Sequence, residues 1–591
     1  MWNKEQLEAI NSTDGATMVV ASAGAGKSSV LLERTKRMVQ ERGVPEDEIL
    51  IISFTNAAAT ELKDKLKSQG LENITVGTFH SICRKLLLDA GVDGVLNLPN
   101  TYKIKREMET QTGIKNINID DVLSFISYQK SYMIGWADEF KEKDCMYTDN
   151  DMRKFYKIYE KCCEQNNWFD FDDYLLVTLG MYEQGLMAKT WNYVLADEQQ
   201  DANLPQYELM KVWCPSNNIF AVGDVKQSLY SWRGADPELF RNFYKEIPNV
   251  KVINMFINYR SCNNIVQRAN EFIAPYNEDD PNYKDAEAFN KGDGTIETAV
   301  FEDNKCEATA VFNKIKELVD AGEKTEDIAV LYRNNSTGDH IESELRNGKI
   351  DYYMVNSKSF FDRKEIKGII SVLRLIANSN DDEAFEFCLS EFRCYPLTFF
   401  KKDLIDKLKS ISAERNCSLY EAFLDCSFDK RWESTNRDAF VDCLGRLKLQ
   451  YERKLSTDKI IENAVRMFKV REMIKEKYES EFWQDKFDSI DNLISIAADH
   501  YVLDGFLKFV QIKPKKKKNK TGVALSTVHG AKGLQWKYVF LIGLEDGKFP
   551  SQYSTLDEES RIMYVGVTRA TDYQWVSSIG ESQFYEEYCE E

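Results

Sequence analysis

The segment that most constrains this chain runs from Thr17 to Val39. An apolar stretch, Thr17–Val20, opens into Ala21-Ser22-Ala23-Gly24-Ala25-Gly26-Lys27-Ser28, and a helical pattern follows over Val30–Val39. The small residues let successive backbone N–H groups line one concavity, and the helix starting there adds its positive end. A chain of phosphates fits such a cradle: Lys27 neutralises charge on the β and γ groups, and the Ser28 hydroxyl can ligate magnesium. Ala21 stands where the strict pattern has a first glycine. A strand that feeds such a loop is covered on both faces, which points to an α/β fold with a parallel sheet.

Other short apolar runs read as strands of the same kind: Ile49–Phe54, Tyr193–Ala196, Ile219–Val222, Ile328–Tyr332, Val523–Ser526 and Tyr538–Ile542. They fall into two groups, with long helical patterns rich in Lys, Glu, Leu and aromatics between the members of each. The pattern predicts two α/β domains, each carrying a mainly helical insertion. The first spans 1–90 and 187–254 around an insertion at 91–186; the second spans 255–376 and 521–591 around one at 377–520. The second insertion ends in Lys513–Lys520, six lysines in eight residues, which reads as a surface loop.

Composition narrows the class. Of 591 residues 43% are hydrophobic and 29% charged, which supplies several cores and excludes a disordered chain. No apolar run approaches the roughly 18 residues of a membrane span. Met1–Gln6 has no hydrophobic signal core, so export is not expected. Thirteen cysteines without a Cys-x-x-Cys pair, and only four histidines, point to free thiols in a reducing cytoplasm rather than a zinc or iron–sulfur site. A net charge of −19 argues against coating nucleic acid by bulk electrostatics. A groove in which a few cations and aromatics do the binding remains compatible with it.

A phosphate loop requires an acidic partner at the end of another buried strand. Tyr193-Val194-Leu195-Ala196-Asp197-Glu198 supplies one. Asp197 would hold magnesium and Glu198 would polarise an attacking water, which points to phosphoryl chemistry on a nucleoside triphosphate.

Further motifs then follow in a fixed order: Asn3-Lys4-Glu5-Gln6, Ile52–Ala59 (ISFTNAAA), Gly77-Thr78-Phe79-His80-Ser81, Phe169-Asp170-Phe171-Asp172-Asp173, Asp197-Glu198-Gln199-Gln200-Asp201, Val222–Ala235 (VGDVKQSLYSWRGA), Asn258-Tyr259-Arg260-Ser261, Thr527–Leu534 (TVHGAKGL) and Tyr564–Ala570 (YVGVTRA). Their set and order resemble the UvrD/Rep-type superfamily 1 helicases, from Gln6 to about Tyr585. The resemblance implies two RecA-like P-loop motor domains that clamp ATP and Mg2+ between them. Ala21, Ser22, Ala23, Gly24, Ala25, Gly26, Lys27 and Ser28 would hold the phosphates, Gln6 would read adenine, and Tyr259 would stack on it. Ser28 and Asp197 would hold the metal, with Glu198 as the water-activating base. Gln227 would couple the γ-phosphate to DNA, and Arg260 and Arg569 would reach the phosphates from the second domain. Gln535 stands where relatives commonly carry a glutamate at the ribose, and Ser29 where they carry an arginine near the nucleotide.

For single-stranded DNA, the resemblance implies base stacking on Phe54, Tyr230 and Trp232. Thr78, His80, Thr527 and His529 would hold phosphates without reading sequence, and Thr55, Asn56 and Arg233 would also contact the strand. The implied activity is that of an ATP-dependent 3′→5′ DNA helicase or translocase acting on single strands and single/double-strand junctions in repair, replication or recombination. It would work as a monomer or a DNA-dependent oligomer, with repair or replication partners, in a bacterial cytoplasm or that of a phage host. The alternative is a DNA-stimulated ATPase that strips or loads proteins on single strands with little unwinding of its own. The short stretch after Arg569 leads to the expectation of no nuclease domain. The second insertion lacks the Gly-Ile-Gly turn that relatives use to grip duplex, which predicts weak unwinding by a monomer. Lys515–Lys518 are expected to touch DNA phosphates beside the motor.

Overall fold

The computed structural model describes residues 2–277, 284–400, 403–478, 480–512 and 521–590. Lys515–Lys518, and the phosphate contacts expected of them, lie outside these residues.

Six strands, β1 (Thr17–Ala21), β2 (Ile49–Ile52), β3 (Thr75–Gly77), β4 (Tyr193–Ala196), β5 (Ile219–Gly223) and β6 (Lys251–Met255), form a parallel sheet in the order β3-β2-β4-β5-β1-β6. The register sets Val19 beside Val222 and Ile253, and Ile51 beside Val76 and Leu195. Side chains alternate across the pleat, so each strand feeds two cores. Ile49, Ile51, Leu195, Phe220 and Val222 pack with Val30 and Leu31 of the helix Lys27–Gln40. Leu50, Ile52, Val194 and Ala221 pack on the other face with Tyr174, Leu175 and Trp213. Because the strands are parallel, their carboxyl ends share one edge, where ligands of such sheets bind. The phosphate loop leaves β1 there, Asp197-Glu198 leaves β4, and Asp224 follows β5.

Residues 91–186 carry no strand among the described residues. Three helices, Thr101–Thr112, Ile119–Ser131 and Asp149–Asn166, close around Ile104, Met108, Phe125 and Phe155.

Two short strands, β7 (Ile257–Cys262) and β8 (Glu287–Asn290), pair in parallel by themselves. A second sheet contains β9 (Thr295–Phe301), β10 (Ile328–Tyr332), β11 (Tyr352–Met354), β12 (Val523–Thr527), β13 (Trp536–Leu544) and β14 (Ala570–Ile579), in the order β11-β12-β10-β13-β14-β9. Its centre, β10, runs parallel to both β12 and β13. From Lys364 to Gln511 the described chain is helical, built on Phe385, Phe423, Phe440, Ile461 and Leu493. The architecture is the mixed α/β one expected, two six-stranded sheets with helical segments inserted. Contact density groups the chain into two compact units. One is Met1–Ile296 with Ser554–Tyr573 and Glu590–Glu591; the other is Glu297–Tyr553 with Gln574–Cys589. Arg260 and Arg569 therefore fall in the same unit as the phosphate loop.

Several strands carry no continuous apolar run and were not expected: β3, β6, β9 and β11 stand at sheet edges, where one side of the strand stays open to solvent. In β14 the obstacle is polarity. Ser577 and Gln574 are buried there through hydrogen bonds to Glu307 (2.6 Å) and from Tyr588 (2.6 Å). The run Ile49–Phe54 ends as a strand at Ile52. Ser53 turns its N–H to the Gly77 carbonyl at 3.0 Å, and Thr55 caps the next helix.

Phe220 is fully buried in the first sheet, beneath the Arg34 guanidinium at 4.6 Å from its centroid. Phe220→Ala is expected to destabilise the unit that holds the phosphate loop by about 3–5 kcal/mol, read by calorimetry as a lowered unfolding transition.

Candidate functional site

The phosphate loop is shaped by two glycines in the left-handed region, Gly24 at φ 72° and Gly26 at φ 83°. Space as well as conformation excludes a side chain. A Cβ on Gly24 would lie 2.7 Å from Asn258 Oδ1 and 2.9 Å from Arg260 Cβ, and one on Gly26 would lie 3.2 Å from Gln6 Nε2. Gln6 reaches the loop because it is the N3 residue of a capping box. Its N–H donates to Asn3 Oδ1 at 2.6 Å, and its side chain is left to donate from Nε2 to the Ala25 carbonyl at 3.1 Å. The Tyr259 N–H donates to the Gly24 carbonyl at 3.0 Å. Gln6, Tyr259 and the loop are thus brought together, as an adenine-and-phosphate site requires. The exposed Tyr259 ring lies 4.8 Å from the ring of Phe289, which the motifs did not single out.

Lys27 Nζ stands 3.0 Å from Glu198 Oε2, and Ser28 Oγ donates to Asp197 Oδ2 at 3.3 Å. The Asp197 N–H still belongs to the sheet, donating to the Ile52 carbonyl at 2.9 Å. Glu198 then turns into the left-handed region at φ 51°, which swings its carboxylate toward the loop. Burial and the neighbouring Glu198 raise Asp197 to about 6. Burial pulls the Lys27 ammonium down, but Glu198, Asp224 and Asp197 outweigh it and hold Lys27 above its ordinary value. A hydroxyl and a carboxylate oxygen facing a phosphate cradle suit magnesium, which takes few protein ligands and completes its shell with phosphates and water.

Sequence reasoning missed Gln200. Fully buried, it donates from Nε2 to Glu198 Oε2 at 2.6 Å, and its Oε1 accepts the Asp224 N–H at 3.0 Å. Its carbonyl accepts Ser228 Oγ at 3.2 Å. Gln227 Nε2 donates to Asp224 Oδ2 at 2.5 Å, and Arg569 Nη2 donates to Gln227 Oε1 at 3.2 Å. Arg260 Nη1 donates to the Thr568 carbonyl at 2.9 Å. Every catalytic candidate is therefore joined to this cluster: Lys27, Asp197, Glu198, Gln227, Arg260 and Arg569. Burial and Arg260 pull Arg569 well below its ordinary value, and burial brings Arg260 to about 10. A polyanion bound here would offset the desolvation of both guanidiniums. No spacing distinguishes Gln200 from its neighbour Gln199; only the 3-10 turn Gln199–Asp201 decides which one faces Glu198.

The candidate DNA residues cluster just beyond. Phe54 stacks on Tyr230 with centroids 4.7 Å apart, and Trp232, 49% exposed, has the Arg233 guanidinium 4.4 Å from its centroid. Thr55 and Thr78 cap the helices Asn56–Ser68 and Phe79–Asp89. Their hydroxyl oxygens accept the Ala58 and Ser81 N–H groups at 3.2 and 3.3 Å, while Thr78 Oγ1 also donates to Asn56 Oδ1 at 3.5 Å. Capping leaves helix N-terminal amides as additional phosphate donors. His80 meets Phe171 edge-on at 6.4 Å and is held below its ordinary value by burial and Arg233. Phe171 is 62% exposed, a large ring in solvent beside His80 and edge-on to Tyr174 at 6.0 Å. Its neighbours Asp170 and Asp173 anchor it by taking the buried Lys130 ammonium at 2.9 and 2.6 Å. Thr527, His529 and Gln535 belong to the second unit. There Thr527 caps Val528–Ala531 by accepting the Gly530 N–H at 3.2 Å, His529 is half-buried and Gln535 is exposed.

Residues 2–248 match the model of the UvrD/REP helicase N-terminal domain, and residues 253–581 that of the UvrD-like helicase C-terminal domain. The chain belongs to the UvrD/Rep-type helicase family. Its two sheets are the family's two RecA-like motor domains, each with a helical insertion. It is 31% identical to the ATP-dependent DNA helicase PcrA of Bacillus subtilis (strain 168), over 96% of this chain and 81% of the relative. The PcrA proteins of Staphylococcus epidermidis (strain ATCC 12228) and Staphylococcus aureus (strain COL) are 28% and 29% identical, over 98% and 97% of this chain and 83% of each relative. Among the described residues no helix is long and apolar enough to cross a membrane.

Two expectations follow for this family member. Asp197 has its folded pKa raised to about 6, so its ionisation opposes folding; the penalty is absent below the ordinary carboxylate range and complete above about pH 6. Asp197→Asn is expected to abolish ATP hydrolysis while raising the melting temperature, with a gain that grows from about pH 4 and levels off above about pH 6. Gln200→Ala is expected to lower kcat of DNA-stimulated hydrolysis by up to about a hundredfold at little change in KM, because Glu198 loses its orientation. Steady-state kinetics checks this, and a change confined to KM would contradict a positioning role.

Proposed function

We propose that this chain is an ATP-driven motor that moves 3′→5′ along single-stranded DNA and separates the duplex it meets. The observation that carries the proposal is the segment Asp224–Gly234. Its ATP end holds Asp224 and Gln227, its DNA end holds Tyr230 and Trp232, and Gln200 ties it to Glu198.

In the resting site Lys27 is engaged by Glu198. ATP phosphates compete for Lys27, and the released Glu198 orients a water in line with the γ-phosphorus and takes its proton. Ser28 and Asp197 would hold Mg2+, which supplies charge neutralisation at the phosphates when bound. Lys27, Arg260 and Arg569 meet the charge that develops on the transferring group. Gln227 exchanges its Asp224 contact for the γ-phosphate and releases it after hydrolysis, moving the segment that ends in Tyr230 and Trp232. Bases stack on Phe54, Tyr230, Trp232 and Phe171 at about 1–3 kcal/mol each, without regard to sequence. Direction rests on resemblance to the family alone.

Opening a base pair takes about 1–2 kcal/mol, well within one ATP, so grip on the duplex limits unwinding rather than energy. The second insertion lacks a Gly-Ile-Gly turn, which favours a motor that translocates well but unwinds weakly as a single copy. The setting is a reducing cytoplasm, where thirteen free thiols persist. The test is single-turnover unwinding with protein limiting, on duplexes bearing a 3′ or a 5′ tail, with Glu198→Gln as the inactive control. Fast movement on single strands, dependence on the 3′ tail and little strand separation by one copy are expected. Preference for a 5′ tail, or efficient separation by monomers, would overturn the reading.

A further inference from the structure

A cavity of about 730 Å³ opens at the edge of the first sheet, away from the residues assigned above to ATP. Its floor is β3, which pairs with β2 on one side and has no strand on the other among the described residues. Thr75 and Val76 line the cavity from this open edge. Sheet edges are blunted by shortness, charges or proline; β3, three residues long, carries neither charge nor proline. The cations stand instead on the walls: Lys63 on the helix Asn56–Ser68, Lys85 on the helix Phe79–Asp89, and Lys189 on the loop opposite. All three are exposed, and none forms an ion pair among the described residues. Asp89 is the single carboxylate of the lining. On a chain of net charge −19 this is a local reversal of sign.

The lining is also apolar where a side chain could be received. Leu186, 66% exposed, and Met187 form a shelf, and Trp191 lies behind them. Trp191 is 4% exposed, edge-on to Trp213 at 5.9 Å and with the Lys189 ammonium 5.2 Å from its centroid. An edge strand with one strand partner among the described residues, apolar residues in the lining and a cationic rim together suit an acidic peptide added as a strand. Nucleic acid is the other polyanion to weigh, but its bases stack on exposed rings, and the aromatic of this lining, Trp191, is buried.

We propose that this groove binds an extended acidic peptide segment of a partner protein, which adds as a strand to β3 and places its carboxylates on Lys63, Lys85 and Lys189. Both wall helices begin at candidate DNA residues, Thr55-Asn56 and Thr78-His80. Occupation of the groove and of the DNA face therefore bears on the same two elements.

The test uses the full chain and a fluorescein-labelled peptide that alternates aspartate with leucine and isoleucine. Anisotropy is measured against a lysine-for-aspartate version of the peptide and a labelled single-stranded oligonucleotide. Saturable, salt-sensitive binding of the acidic peptide alone is expected to weaken by about tenfold or more in the triple variant Lys63→Glu, Lys85→Glu, Lys189→Glu, because exposed attractions become repulsions. Basal ATP hydrolysis is expected to stay unchanged, which shows that the variant is folded. Amide hydrogen exchange at Thr75–Gly77 is expected to slow when the peptide is bound, a readout that charge attraction alone would not give. Equal binding of both peptides, undiminished binding by the triple variant, or unchanged exchange at Thr75–Gly77 would overturn the proposal. Loss of oligonucleotide binding in the triple variant, with no peptide binding by the parent, would assign the groove to nucleic acid instead.

Discussion

The contact on which the rest of the site depends is the 3.0 Å pair between Lys27 and Glu198. Asp197, Glu198 and Asp224 gather at the ends of two adjacent strands, and like charges this close oppose one another in a desolvated site. Lys27 is the cation placed to hold them together. A buried pair of this kind adds little net stability, since desolvation offsets most of the attraction. Its consequence is positional: it keeps the water-activating carboxylate occupied until another anion competes for the lysine.

That arrangement is reachable because the sheet is parallel. β1, β4 and β5 end on one edge, so residues more than a hundred positions apart in sequence meet without any long excursion of the chain. The same geometry places Thr55 and Thr78 at helix N-termini beside the aromatic cluster of Phe54 and Tyr230. Few cations are then needed to hold a DNA backbone, because oriented amides do part of the work. A net charge of −19 is compatible with that kind of contact.

Sheet edges explain both what was hard to foresee and what is new. β3 is short and half-buried, and its flanks carry the polar residues that an open edge tolerates. Such a strand carries no apolar run, and its outer edge, without a strand partner among the described residues, lies in a groove with a reversed local charge. The central strands β1, β2, β4, β5, β10, β12 and β13 were legible because covering both faces demands an uninterrupted apolar run.

The motifs were legible for a related reason. A phosphate loop, an acid pair or a Gln-to-Trp segment is chemistry carried by consecutive residues, and backbone conformation alone sets their relative positions. Ala21–Ser28, Asp197-Glu198, Gln227 and Trp232 could therefore be named from the chain, with the fold class and the family. Gln200 and Phe171 stood inside motifs without a role of their own, and Phe289 belonged to no motif. Gln200 matters because one 3-10 turn aims it at Glu198, Phe289 because β8 brings it against Tyr259, and Phe171 because it emerges beside His80. Arg569 and Gln227 are joined across 342 positions. By itself the sequence determined which chemistry is present, because that is local. Only the tertiary structure decided which side chain orients which, because those contacts depend on strand order and packing that no spacing along the chain encodes.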